Sequence, residues 1–264
     1  MYDFNYHRAT SLESAAEIYS QSEDPVYLAG GMTLIPTLKQ RLARPTDVID
    51  LGGVDGLSDV EQRAETLSIG SMTTHAAVAA NSAVSSLIPA LSALAGGIGD
   101  PHVRNKGTLG GSVANNDPAA DYPAALVGLD ATVVTTQREI PAEEFFVGMF
   151  ETSLVEGELI SHVRFSIPDR AAYMKFANPA SRYAIVGVMV AKFSGQIRVA
   201  VTGAGPAVFR SGEMEQALAS EFSAGAIDGV TVAPDELNSD IHAGQEYRAN
   251  LVRVMAARAV ESCG

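Results

Sequence analysis

Short runs of β-branched and apolar residues along this chain alternate with segments whose apolar positions lie three and four apart, the signature of strands interleaved with helices. Leu12, Ala15, Ala16 and Tyr19 recur at helical spacing behind a candidate cap at Thr10 or Ser11. Val26 to Ala29 reads as a strand, Thr33 to about Leu42 as a helix, and Val48 to Leu51 as a second strand, a small β-α-β unit preceded by a helix. Gly52, Gly53 and Gly56 then break the pattern and set a boundary near residue 56. Further on, LSIGSM after Thr66 predicts a strand, Thr73 or Thr74 caps a helix through Asn81, and Ser86 to Ala95 predicts a helix ended by Gly96-Gly97. Pro123 to Leu129 reads as a helix, Ala131 to Thr135 as a strand, Ala142 to Phe146 as a helical turn, and Leu159 to Ile167 as a strand closed by Pro168. Tyr173 to Phe176 and Ala184 to Phe193 open a section in which Ser194-Gly195 turns the chain into Ile197 to Thr202, a hairpin followed by helices at Met214 to Ala219 and Tyr247 to Glu261. The mixture suits a layered α+β fold, divided as 1–56, 57–170 and 171–264.

Composition narrows the function classes. The chain has 264 residues, 47% of them apolar, and a net charge of −13, which argues against a nucleic-acid or anionic-membrane surface. Its single cysteine, Cys263, excludes an internal disulfide, iron–sulfur cluster or Cys-based zinc site. The five histidines form no HxH or HxxxH pair, so no metal site is expected. MYDFNYHRATSLES does not read as a secretory signal, and the longest near-apolar runs, such as Leu87 to Gly99, fall short of the roughly 18 residues of a membrane helix. The expectation is a cytoplasmic protein without a membrane span.

Two glycine pairs carry the candidate chemistry. In VYLAGGMTLIP, residues 26–36, an apolar run ends in Gly30-Gly31 before a helix start, the arrangement that aims N–H groups at a phosphate. It lacks the GxGxxG spacing of a Rossmann fingerprint. In GTLGGSVANNDPAADYP, residues 107–123, Gly110 and Gly111 sit between hydroxyl residues, so backbone amides can line a second anion cradle. Two such loops fit a diphosphate held between subdomains, as in an extended dinucleotide. Asp121, an acceptor only, suits the hydroxyls of a sugar or ribitol. The bland reading is a glycine-rich turn with a solvated aspartate. Asp117 and Asp121 resemble a carboxylate pair, but Pro118 and Pro123 beside them indicate a loop that shapes a site.

AGGMTLIPTLKQRLARPTDVIDL and HVRNKGTLGGSVANNDPAADYPAAL resemble the FAD-binding medium subunit of molybdenum hydroxylases, the group that includes aerobic carbon monoxide dehydrogenase and the flavin domain of xanthine dehydrogenase. EGELISHVRF, YMKFANPASRYAIVGV and IHAGQEYRANLVRVMAARAV extend the resemblance over nearly the whole chain. It implies a two-subdomain FAD-binding fold of the vanillyl-alcohol-oxidase/CO-dehydrogenase flavoprotein type, plus a C-terminal antiparallel sheet with helices. It also implies FAD contacts at Leu28, Ala29, Gly30, Gly31, Met32, Thr33, Leu34, Ile98, Thr108, Leu109, Gly110, Gly111, Ser112, Asn116, Asp121, Ile160, Lys175 and Tyr183. Tyr183 would lie against one face of the flavin ring; without the resemblance, Lys175 reads as a solvated lysine, Tyr183 as a half-buried core residue, and Ile98 and Ile160 as core. Met32 stands where the carbon monoxide enzyme's subunit usually has histidine, which speaks against carbon monoxide as the substrate.

No side chain is needed for bond-making chemistry under this resemblance, because the flavin carries it. FAD would be held non-covalently here, with the molybdenum cofactor and [2Fe-2S] clusters on a molybdenum-binding large subunit and an iron–sulfur small subunit of a heterotrimer, commonly doubled. Lys39, Arg41 and Arg44 and the stretch His102 to Lys106 are candidates for contact with the iron–sulfur subunit, against the reading of a solvated face. Valine at Gly30 or Gly111 is expected to abolish FAD binding while leaving the fold largely intact. The alternatives are a self-sufficient flavin reductase or oxidase, for which no acid or base stands out, and an assembly subunit without FAD.

Overall fold

Three sheets and a two-stranded hairpin organise the chain in the computed structural model, which describes residues 1–263. The first sheet is parallel, with Asp47–Asp50 between Asn5–Arg8 and Pro25–Leu28. The chain therefore starts with a strand, which corrects the β-α-β reading. NYHR carries no apolar alternation because it is an exposed edge, held by ladder bonds and by polar side chains: Asn5 Nδ2 donates to Asp47 Oδ1 at 3.1 Å and the Tyr6 hydroxyl to Asp50 Oδ2 at 2.5 Å. Ser11 and Ser14 cap the helix Leu12–Gln21 reciprocally, and the helix Leu34–Lys39 stops short of Leu42 because Arg41 takes a left-handed φ of 60°.

The second sheet is antiparallel, in the order Val60–Arg63, Thr66–Gly70, Ile160–Ser166, Thr132–Thr135, Glu139–Pro141. Helices cover one face of it, and Leu91, Leu94, Leu109, Tyr122, Leu126 and Phe165 fill the core between. The single helix expected over Ser86 to Ala95 is two, Ser82–Leu87 and Pro89–Gly96, since Pro89 cannot donate within a helix and instead starts a new one. The glycine-rich stretch after Thr108 is not a loop. It is the helix Leu109–Asn115, with Gly110 and Gly111 in its first turn.

The third sheet joins Arg170–Ala177, Ala184–Phe193, Gln196–Thr202 and Phe209–Arg210 antiparallel. Its second strand is a near-continuous apolar run because both faces are covered. Val186, Val188 and Val190 pack with Leu251, Val252 and Met255 of the helix Gln245–Ser262, while Met189 and Ala191 join the core of the second sheet. No helix among the described residues is long and apolar enough to cross a membrane.

Candidate functional site

A cavity of about 760 Å³ opens where the first parallel sheet meets the helices of the second unit and the loop before Ala184. Fourteen of the residues singled out above border it: Ala29, Gly30, Gly31, Met32, Thr33, Leu34, Ile98, Thr108, Gly110, Gly111, Ser112, Asp121, Ile160 and Tyr183. Leu28, Leu109, Asn116 and Lys175 do not. Leu109 is fully buried in the core, and Leu28 ends the strand beneath Gly31, its Cδ1 against the place a Gly31 Cβ would occupy. Asn116 is turned away: its Nδ2 donates to the carbonyls of Gly148 and Glu151, both at 2.8 Å.

The two glycine stretches do different work. Among the described residues, none of the amides of Gly30, Gly31, Met32 and Thr33 donates to a protein acceptor, so this loop presents a row of free donors to the cavity. Gly31 takes φ of 71°, a conformation open to glycine. Around Gly110 the amides are already engaged. Leu109 N–H donates to Thr73 O at 3.0 Å, Gly110 N–H to Ser71 O at 2.7 Å, and Gly111 N–H to the capping Thr108 hydroxyl at 3.1 Å. Gly110 is glycine because its helix turn lies against Ser71, whose carbonyl oxygen a Cβ would meet at 2.8 Å. The second cradle of free amides is thus replaced by a close helix contact, with Ser112 left on the cavity wall.

Asp121 is a buried ion-pair partner. Its carboxylate accepts from the Tyr173 hydroxyl at 2.6 Å, and Lys175 Nζ lies 3.0 Å from Oδ1 and 3.2 Å from Oδ2. Burial pushes the Asp121 carboxyl up, against the opposing pull of the Lys175 charge and the Tyr173 hydrogen bond. Lys175 also donates to the carbonyls of Gly97 at 2.9 Å and Arg182 at 3.0 Å. Arg104 donates to Ile98 O and Gly99 O, both at 2.9 Å, and Arg182 to Gly99 O at 3.3 Å. Three cations thereby hold the strap Gly97–Gly99 against the cavity and fix the turn that carries Tyr183, which is 46% exposed.

His75 escaped sequence reasoning. It starts the helix His75–Ala80 behind the Thr74 cap, lines the cavity and packs 5.4 Å from the Tyr122 ring. Burial, helped by the Arg104 charge, lowers it to about 4, so it is neutral at ordinary pH. Gly107, whose missing Cβ makes room for the His75 ring, was the available signal. Arg41 and Arg44 lie over the Tyr2 ring, 5.5 and 5.2 Å from its centroid, which gives two of the basic candidates an intramolecular partner.

Residues 2–169 match the family model described as FAD binding domain in molybdopterin dehydrogenase. The chain belongs to this family of FAD-binding domains. Over 98% of its length it is 35% identical to the nicotine 6-hydroxylase medium subunit of Paenarthrobacter nicotinovorans, covering 96% of that protein. It is 30% identical to the carbon monoxide dehydrogenase medium chain of Hydrogenophaga pseudoflava, again over 98% of this chain and 96% of the other. In fold it is similar to a chain in the crystal structure of quinoline 2-oxidoreductase from Pseudomonas putida 86, with a TM-score of 0.90 and 27% identity over 99% of this chain and 97% of that one. The α+β fold is that of the CO-dehydrogenase flavoprotein type, and the chain is an oxidoreductase subunit of the FAD-binding medium class. Its cavity passes the size test for such a group, falling within the roughly 300–1,000 Å³ of small-molecule sites, and the unpaired amides of Gly30 to Thr33 on its wall are donors suited to a phosphate.

Proposed function

We propose that this chain is the electron-transfer flavoprotein of a molybdenum-containing hydroxylase, working between an iron–sulfur small subunit and an external acceptor, with FAD in the cavity between the two glycine stretches. The observation that carries this reading is the row of unengaged amides from Gly30 to Thr33 bordering the same cavity as Asp121, which Lys175 holds from behind. Those amides, with the hydroxyls of Thr33 and Ser112, would hold the diphosphate by hydrogen bonds. Asp121 has lone pairs left beyond Tyr173 and Lys175, and these orient a ribitol or ribose hydroxyl. Tyr183 would exclude water from one ring face, and Ile98 and Ile160 would supply apolar contact. Arg104 and Arg182, both bonded to the Gly99 carbonyl, bring positive charge to the strap beside the cavity, which would favour a group that gains negative charge on accepting electrons. Bound FAD would supply a carrier able to exchange one or two electrons.

The same reading places the molybdenum cofactor on a large subunit and [2Fe-2S] clusters on the small one, in a heterotrimer that is commonly doubled and cytoplasmic. The division at residues 56 and 170 belongs to it, supported by the first two sheets each lying within one stretch and by the third beginning at Arg170, on the second boundary. Relatives named for nicotine and for carbon monoxide align over nearly their full length, so substrate choice is assigned to another subunit. Expressed alone and with its partners, the chain should reduce an artificial dye from aldehydes, N-heterocycles or carbon monoxide only in the complex. Turnover by the isolated chain at the rate of the complex would refute the proposal in favour of a self-sufficient flavoenzyme.

A further inference from the structure

Five buried side-chain polar atoms lack a hydrogen-bond partner among the described residues: Thr73 Oγ1, His75 Nδ1, the Tyr122 hydroxyl, Ser153 Oγ and Arg248 Nε. Of these five residues only His75 borders the main cavity. It is 4% exposed, and its other ring nitrogen, Nε2, makes no hydrogen bond to the described residues either. A core histidine normally has a partner on at least one nitrogen, so a partner from outside the chain is called for. The imidazole cannot swing away to find one. His75 N–H donates to Gly107 O at 2.9 Å, Thr74 caps the helix that His75 starts, and the ring lies 5.4 Å from that of Tyr122.

The Nε2 edge stands against Gly107, where a Cβ would meet it at 2.6 Å, so glycine is what leaves this edge uncovered. Gly107 is itself on the cavity wall and touches the first glycine loop, since a Cβ on Gly30 would stand 2.8 Å from Gly107 Cα. His75 Nε2 and the free amides of Gly30 to Thr33 therefore flank one short backbone segment at the same end of the cavity. Burial and the Arg104 charge keep the ring neutral at ordinary pH. An orphaned buried N–H is rarer than an orphaned buried acceptor. That preference leaves the lone pair on the sealed Nδ1 and assigns the proton to Nε2, at the open edge. Donors from the loop and from the imidazole thus converge, and a phosphate is the group that takes several donors while offering none.

We propose that His75 Nε2–H is a further donor to the diphosphate of the bound dinucleotide, holding it together with the Gly30 to Thr33 amides. This rests on the FAD reading given above. To test it, the flavin-free full chain is titrated with FAD, with ADP, which carries the diphosphate without the flavin, and with riboflavin, which carries no phosphate, as wild type, His75→Leu and His75→Gln. His75→Leu should bind FAD and ADP about tenfold more weakly, the lower end for a hydrogen bond to a charged group, with riboflavin affinity unchanged. His75→Gln, whose amide N–H can stand in for Nε2–H, should recover most of that loss. Nitrogen NMR of the wild-type imidazole needs no variant to fold: ADP should shift the Nε2–H resonance and leave Nδ1 unprotonated, whereas adenosine and riboflavin should leave both signals in place. FAD affinity of His75→Leu within about twofold of wild type, equal losses for ADP and riboflavin, or an Nε2 signal that adenosine moves as far as ADP does would each overturn the assignment. Wild-type chain that binds none of the three ligands would instead overturn the proposed function.

Discussion

Gly30 lies against the backbone of Lys106 and Gly107 so closely that a Cβ would overlap the Lys106 carbonyl oxygen and stand 2.8 Å from Gly107 Cα. The first glycine loop is therefore a joint between the parallel sheet and the helices of the second unit as well as a wall of the cavity. The expectation that Gly30→Val would spare the fold is corrected on this ground: backbone on both sides leaves nothing to move aside. Gly30→Val should lose its flavin and also cost about 3 kcal/mol or more of stability, the upper end for overpacking. Gly212→Ala, with open space at its Cβ, serves as the control. Urea midpoints and flavin content read the two effects, and a Gly30→Val protein of wild-type midpoint would disprove the joint.

Gly111 is the gentler site. Its nearest neighbours are the Thr108 hydroxyl at 2.8 Å and Ala29 Cβ at 3.3 Å, and the first is the helix cap itself. Gly111→Val should displace that cap, worth about 0.5–2 kcal/mol, and lower flavin affinity by crowding the wall. Flavin titration against a Thr108→Ala variant separates the two contributions, since the latter removes the cap without adding bulk to the cavity wall; equal affinities would mean that the added bulk contributes nothing.

Buried and paired, Asp121 should not be removable without consequence for its partner. Asp121→Ala leaves Lys175 without its carboxylate and should destabilise the chain by about 3–5 kcal/mol, as for a broken buried ion pair. Asp121→Asn/Lys175→Met, which removes both charges, should recover most of that loss while flavin affinity stays weakened. Thermal unfolding of the double variant no better than that of Asp121→Ala would show that the pair is not coupled.

How much of this was legible depended on whether a residue's role was local. The Gly30-Gly31 loop could be read because a strand, a tight turn and a helix start follow one another in eight residues, and its free amides are a backbone property. The helix at Leu109–Asn115 was read as a loop because two glycines in its first turn suggest a turn, whereas the reason for Gly110 is Ser71, thirty-nine positions earlier and adjacent only in the fold. Asn116 looked like part of the same motif, yet its partners lie beyond residue 147. Asn5–Arg8 has no apolar period since an edge strand needs only a ladder. Lys175 was placed near the cavity by resemblance, and the fold sets it one layer behind, holding Asp121 and the strap rather than bordering the space.

His75 gives a pH dependence of definite sign. The folded chain holds it neutral down to about pH 4, while the unfolded chain protonates it near 6.5. Between those values the unfolded state binds more protons, so this group makes stability fall as pH drops through the window and has no effect above it. The loss should total about 3 kcal/mol. His75→Leu should lack it, so the stability of wild type relative to the variant should fall by that amount as pH drops from 6.5 to 4; parallel curves would show that His75 is solvated.

The central claim, that the cavity between the Gly30 and Gly111 stretches holds FAD without a covalent link, is tested most directly by precipitating the purified chain with acid and measuring FAD in the supernatant against protein. The account predicts about one FAD released per chain and a colourless pellet. A chain that releases no flavin, or a pellet that stays yellow, would contradict it.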